Sequence, residues 1–135
     1  MERNAALLTE VMEEIESSLK DPKGVTAHQR RLAFCLSLGT VALIEESLVK
    51  KQVFKSGAKI NHLWFKKKKG NVKILIARQI TCPVENLTEL DDLLSLAFEI
   101  ERERNTLAYG KQATEEQLST KIRAFLNLKR RVENA

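Results

Sequence analysis

Leu32–Ala33–Phe34–Cys35–Leu36–Ser37–Leu38–Gly39–Thr40–Val41–Ala42–Leu43–Ile44–Glu45–Glu46–Ser47–Leu48 decides the fold. The stretch is apolar almost all round a helix, interrupted only by small hydroxyls and one pair of glutamates. A helix with no polar face is a central one, covered on several sides by its neighbours. Gly39 lies inside it. Glycine costs about 1 kcal/mol against alanine in a helix interior, so its presence points to close helix packing. Thr26–Ala27–His28–Gln29 precedes the run and has the spacing of a capping box. The pattern predicts one helix from Thr26 to about Phe54, with His28 exposed in its first turn.

The flanking segments read as helices that cover this one. Upstream, Leu7, Leu8, Val11, Met12, Ile15 and Leu19 recur at three- and four-residue spacing and form one apolar stripe. Asp21–Pro22–Lys23–Gly24 ends that helix and allows a reversal. Downstream, Ser56–Phe65 reads as an ordered loop that packs down through Ile60 and the Trp64–Phe65 pair. Asn71–Ile80 fits either a short helix or a strand. A lone strand has no partner, so a helix is favoured.

Thr88 is placed to cap the next helix, with Glu89, Asp91 and Asp92 complementing the dipole in its first turn. Leu90, Leu93, Leu94, Ala97, Ile100 and Leu107 give its stripe, and Gly110 its end. Thr114–Gln117 is a second capping box, opening a last helix with Leu118, Ile122, Phe125, Leu126 and Val132 inward. The chain therefore reads as all-α: residues 1–135 form a single domain, an antiparallel bundle of four to five helices.

Composition agrees. In 135 residues there are only 5 glycines and 2 prolines, which favours long elements over a sandwich of short strands. Hydrophobic residues make up 43% and charged ones 30%, an ordinary globular balance. A domain of this size buries roughly two thirds of its unfolded surface and needs no staple. The two cysteines, Cys35 and Cys82, stand apart from each other and from any Cys/His ligand pair. They read as reduced thiols, with no metal site and no cofactor. Met1–Asn4 lacks the start of a signal peptide, and no apolar run approaches the roughly 20 residues of a membrane span. The expected location is cytoplasmic.

The net charge of +5 is unevenly placed. The first 70 residues carry 13 basic and 8 acidic side chains, the rest 10 of each. Lys50, Lys51, Lys55, Lys59, Lys66, Lys67, Lys68, Lys69 and Lys73 follow one another with no acid between them. Such a block attracts polyanions. Serine nucleophile elbows, P-loops, GxGxxG and HExxH are absent, and a helix-turn-helix would need a basic recognition helix that the chain lacks. Glu99, Glu101 and Glu103 are spaced by two and do not share a helical face.

Arg104 is the most informative polar residue. It stands seven residues after Ala97, four after Ile100 and three before Leu107, on the apolar stripe. A guanidinium there must pair with an internal acid or project into a cleft or an interface. Glu103–Arg104–Asn105–Thr106–Leu107–Ala108–Tyr109–Gly110 resembles the motif of the HEPN superfamily (the higher eukaryotes and prokaryotes nucleotide-binding domain). In that motif an arginine, commonly followed by asparagine, precedes a histidine that often has glycine after it. The chain keeps Arg104, Asn105 and Gly110 but has Tyr109 where the histidine is expected. The late helix carrying the motif and the long central helix are also similar to the family pattern.

The resemblance implies a homodimer with facing motifs that acts on RNA. It also implies a metal-independent endoribonuclease, as in toxins of toxin–antitoxin or defence systems, and a possible small nucleotidyltransferase partner. Arg104 and Tyr109 would be catalytic; Asn105, His62 and Lys66, Lys67, Lys68 and Lys69 would bind RNA. A histidine near pKa 6.5 exchanges protons at neutral pH, whereas a tyrosine near pKa 10 is a poor base. Tyr109 can still donate a hydrogen bond or stack on a base, and Arg104 can grip phosphate through its fork. The departure thus favours binding over cleavage. Nothing in the spacing brings His62 to Arg104. The alternative is a non-enzymatic subunit that docks a nucleotidyltransferase-type partner through an exposed helix face or Trp64–Phe65.

Overall fold

A computed structural model describes residues 2–134, with side chains described from residue 4. Regular structure among them is helical. α1 is Glu2–Lys20, α2 Gln29–Lys50, α3 Lys69–Ala77, α4 Leu90–Glu101, α5 Arg104–Tyr109 and α6 Glu115–Glu133. Short 3₁₀ turns stand at Val25–His28, His62–Lys66 and Val84–Asn86.

α2 is the centre, packed on α1, α4, α5 and α6. Leu32, Leu43, Ile44 and Leu48 of α2 join Val11 and Ile15 of α1, Leu93, Leu94 and Ala97 of α4, and Leu118, Phe125 and Leu128 of α6 in one apolar cluster. Gly39 is where helices approach most closely. A Cβ there would stand 2.6 Å from the Phe125 ring and 3.3 Å from Val11, too close for any side chain without movement. α6 opens with the expected capping box: Gln117 N–H donates to Thr114 Oγ1 at 3.1 Å and Thr114 N–H to Gln117 Oε1 at 2.8 Å.

Several expectations fail, each for a tertiary reason. α2 starts at Gln29, not Thr26, and ends at Lys50, not Phe54. The Thr26 box does not form, because the Gln29 amide is used elsewhere. It donates to Leu107 O and Lys111 O, each at 3.0 Å, and accepts from Ala113 N–H at 2.7 Å, tying α5 and the following loop to α2. Leu19 is exposed, whereas Ser18 is buried with its hydroxyl on Ile15 O. The residue before α4 is Glu89; Thr88 caps nothing there. The stretch Val25–Lys50 is, by length and composition alone, apolar enough to cross a membrane, contrary to the sequence reading; 67% of its most apolar window is buried inside the fold.

The chain from Lys51 to Asn86 makes an excursion that closes on itself and packs back on the bundle. Phe54 and Ile80 form an isolated antiparallel bridge. Ile60 is buried, with its N–H donating to Glu45 Oε2 of α2 at 2.8 Å. Phe65 is buried edge-on against Phe98 of α4, ring centroids 5.5 Å apart. α3 follows the helical period: Val72 and Ile76 are buried while Ile74, which a strand would have turned inward with them, is exposed.

The largest departure is at the end of α4. One continuous helix to Gly110 was expected, but Arg102 turns extended and Glu103 adopts a left-handed backbone, φ 66°, before α5 starts at Arg104. A left-handed non-glycine residue costs about 1–2 kcal/mol. The buried Lys121 of α6 offsets this by donating its ammonium to Glu99 O, a carbonyl that the break leaves without a helical partner. Gly110 does end α5; a Cβ there would stand 2.6 Å from Thr106 O.

Candidate functional site: a basic cleft at the α4–α5 break

The break and the 51–86 excursion meet. Phe65 anchors the His62–Lys66 turn on α4, and Asn61 Oδ1 caps that turn by accepting from Leu63 N–H at 2.9 Å. His62 and Lys66 therefore face Glu101, Arg104, Asn105 and Thr106 across a cleft of about 320 Å³. The sequence placed Arg104 on the stripe of an unbroken helix. In the structure the break resets the helical phase, and Arg104 is half-buried because α5 lies on α2.

The Arg104 guanidinium stacks over the Phe34 ring of α2, 5.0 Å from its centroid. Its Nη1 donates to Asn105 Oδ1 at 3.0 Å. Its Nε is buried with no hydrogen-bond partner, and among the described residues no carboxylate lies within ion-pair distance of it. Cation–π contact orients the fork without neutralising it.

Glu101 forms the acidic wall. Its Oε1 is buried with no partner in good hydrogen-bond geometry, and the Ser37 hydroxyl stands beside the carboxyl as its nearest donor. Burial pushes the Glu101 carboxyl above its ordinary value, while Ser37, Arg104, Lys121 and Lys66 pull the other way. Burial and the nearby positive charges of Arg104 and Lys66 hold the His62 imidazole below its usual value, so it is neutral at pH 7. A neutral imidazole carries one donor and one acceptor nitrogen. The cleft thus combines donors, fixed positive charge and a neutral imidazole.

The structure brings His62, Lys66, Arg104 and Asn105 together, a proximity that nothing in the spacing supplied. Tyr109 is not part of the cleft wall. It is 71% exposed and rests edge-on against Phe34, ring centroids 5.8 Å apart. Lys67 and Lys68 are exposed beside the cleft and make no ion pair among the described residues. Lys69 is tied back, donating to Ser95 Oγ at 3.0 Å, and Lys73 pairs with Asp91 at 3.0 Å. Lys50 donates to Val132 O and Glu133 O at the C-terminal end of α6. The lysine block is therefore smaller in effect than its sequence count.

Sequence reasoning missed Phe34 and Glu101. Phe34 looked like one more core residue. Glu101 was set aside with its neighbours for spacing alone, and only the chain reversal at Glu103 turns it towards Arg104.

A second polar cluster stands at the α1–α2 corner. His28 was expected in solvent but is buried, its Nδ1 2.6 Å from Glu14 Oε2 and its Nε2 2.8 Å from Asp21 Oδ2. Hydrogen bonds to Asp21 and Glu14 raise its pKa above the ordinary value. The same contact, behind a backbone hydrogen bond from Lys23, lowers that of Asp21. The described residues hold no group of three metal-ligating side chains, and Cys35 and Cys82 are free thiols. No family model, curated protein or solved structure matches the chain.

Proposed function

We propose that the protein is an RNA-directed member of the HEPN type, gripping a backbone phosphate in the cleft at Arg104. One observation carries this reading: a half-buried guanidinium, stacked on Phe34, stands beside Lys66 and His62 with no ion pair within bonding distance among the described residues. A half-buried cation that makes no direct ion pair is stabilised further by a ligand that brings an anion to it. Bidentate contact with phosphate oxygens is what the planar fork is shaped for. Lys67 and Lys68 extend positive potential outward from the cleft and steer a polyanion to it.

If the protein cleaves RNA as a metal-independent endoribonuclease, the imidazole of His62 suits the proton transfer better than the exposed phenol of Tyr109. The HEPN reading also carries a homodimer and a toxin–antitoxin or defence role. The test is binding of a labelled single-stranded RNA over a salt series. Affinity should fall linearly with the logarithm of salt, and Arg104→Ala should lose at least tenfold. An Arg104→Ala protein that binds RNA as the wild type does would overturn the reading.

A second reading, a non-enzymatic subunit docking a nucleotidyltransferase-type partner, draws on Leu38 and Tyr109, which are 49% and 71% exposed on α2 and α5. Stable co-purification with such a partner and no RNA affinity would favour it.

A further inference from the structure

We propose that Glu101 and His62 read the ribose 2′-hydroxyl of the nucleotide whose phosphate Arg104 and Lys66 hold, making the cleft selective for RNA over DNA. This rests on the reading of the cleft as a nucleic-acid site. A site for phosphate alone offers donors and positive charge; a carboxylate in its wall repels the ligand. This cleft carries two carboxylates nonetheless, the half-buried Glu101 and the exposed Glu103, together with a neutral imidazole.

Among the described residues, three buried side-chain atoms have no partner in good hydrogen-bond geometry: Arg104 Nε, Glu101 Oε1 and Ser37 Oγ. Arg104 and Glu101 both line the cleft, and Ser37 lies against Glu101. The Ser37 hydroxyl acts on the Glu101 carboxyl as a hydrogen-bond donor; buried polar groups are almost always satisfied, so what this place still lacks is a partner for Arg104 Nε and for the remaining lone pairs of Glu101. The two that line the cleft are opposite in kind, a donor and an acceptor. The ligand must offer an acceptor for Arg104 and, next to it, a donor for Glu101 or for the acceptor nitrogen of His62.

An RNA nucleotide has that pair: a phosphate oxygen and the adjacent 2′-hydroxyl, the group that distinguishes RNA from DNA. A cleft of about 320 Å³ is at the small end of ligand sites and suits a single nucleotide. The phosphate contacts supply affinity without discrimination; the Glu101 carboxylate supplies discrimination by repelling any phosphate that brings no hydroxyl to it.

The experiment is fluorescence anisotropy of the full chain at low salt with three single strands of one sequence: RNA, DNA and 2′-O-methyl RNA. RNA should bind about tenfold tighter than the other two, the worth of one hydrogen bond to a charged group. Glu101→Ala, checked for folding by its thermal transition, should bind DNA more tightly than the wild type does and bring the RNA-to-DNA ratio towards one.

Equal affinity of the wild type for all three strands would overturn the 2′-hydroxyl reading and leave phosphate binding standing. An undiminished RNA preference in folded Glu101→Ala would overturn the assignment to Glu101. Failure to bind any strand at low salt would overturn this inference and the proposed function together.

Discussion

Two of the polar clusters that border the apolar core are built in opposite ways. At the α1–α2 corner, both ring nitrogens of His28 have carboxylate partners, and Arg31 lies 3.3 Å from Glu14 on the outer side. At the α4–α5 break, Arg104 and Glu101 face one cleft with a donor and an acceptor left over. A closed network holds elements together, because breaking it strands buried charge. An open one adds little to stability and is poised for a ligand. The difference teaches where the molecule is fastened and where it is able to bind.

The comparison breaks most visibly if His28 is removed. His28→Ala leaves Glu14 and Asp21 without their shared donor and should cost about 1–3 kcal/mol, read as a lower urea midpoint. It should leave the salt dependence of RNA binding as it is. Arg104→Ala should do the reverse. RNA affinity falls at least tenfold, about 1.4 kcal/mol, while the urea midpoint moves by less than about 0.5 kcal/mol because no internal ion pair is lost.

The two histidines also sharpen the contrast through pH. The folded pKa of His28 is raised, so its stabilising contribution is complete below about 6.5 and is lost as pH rises through the folded value. The folded pKa of His62 is lowered, so the unfolded chain binds its proton more readily. Stability is therefore lost at this site as pH falls from about 6.5 through the folded value. Urea midpoints measured across neutral pH should show His28→Gln flattening the alkaline limb and His62→Gln the acid limb. The smallest effect belongs to Tyr109→Phe. An exposed ring that keeps its contact with Phe34 should change stability by less than about 0.5 kcal/mol.

The sequence disclosed what is local. The stripe around Val11 and Ile15, the largely apolar run of α2 and the Thr114–Gln117 box each act within a few helical turns, and each forms as read; Gly110 ends a helix as read, but that helix is α5 and not the one begun at Leu90. Gly39 announced a close approach, and Phe125 occupies the space its missing side chain leaves. What the sequence concealed depends on partners far along the chain. The Thr26 box is lost because Gln29 reaches residues 107, 111 and 113. The helix through residue 102 breaks where Lys121, from α6, takes the carbonyl of Glu99. Arg104 was placed on an apolar stripe from the phase of a helix that does not continue; it stands half-buried over Phe34 in a cleft lined mostly by polar side chains. His62 reaches the same cleft because Phe65 packs on Phe98, a contact that no spacing rule could supply.

The chain has only two histidines, so proton NMR of the imidazole C2–H resonances resolves both clusters in one titration. In the free protein His28 should titrate above 6.5 and His62 below it. Addition of saturating single-stranded RNA should raise the His62 midpoint, because a phosphate in the cleft favours the imidazolium, and should leave His28 where it was. A His62 midpoint unmoved by bound RNA, or a shift at His28 in its place, would contradict the claim that the open cluster is the binding site.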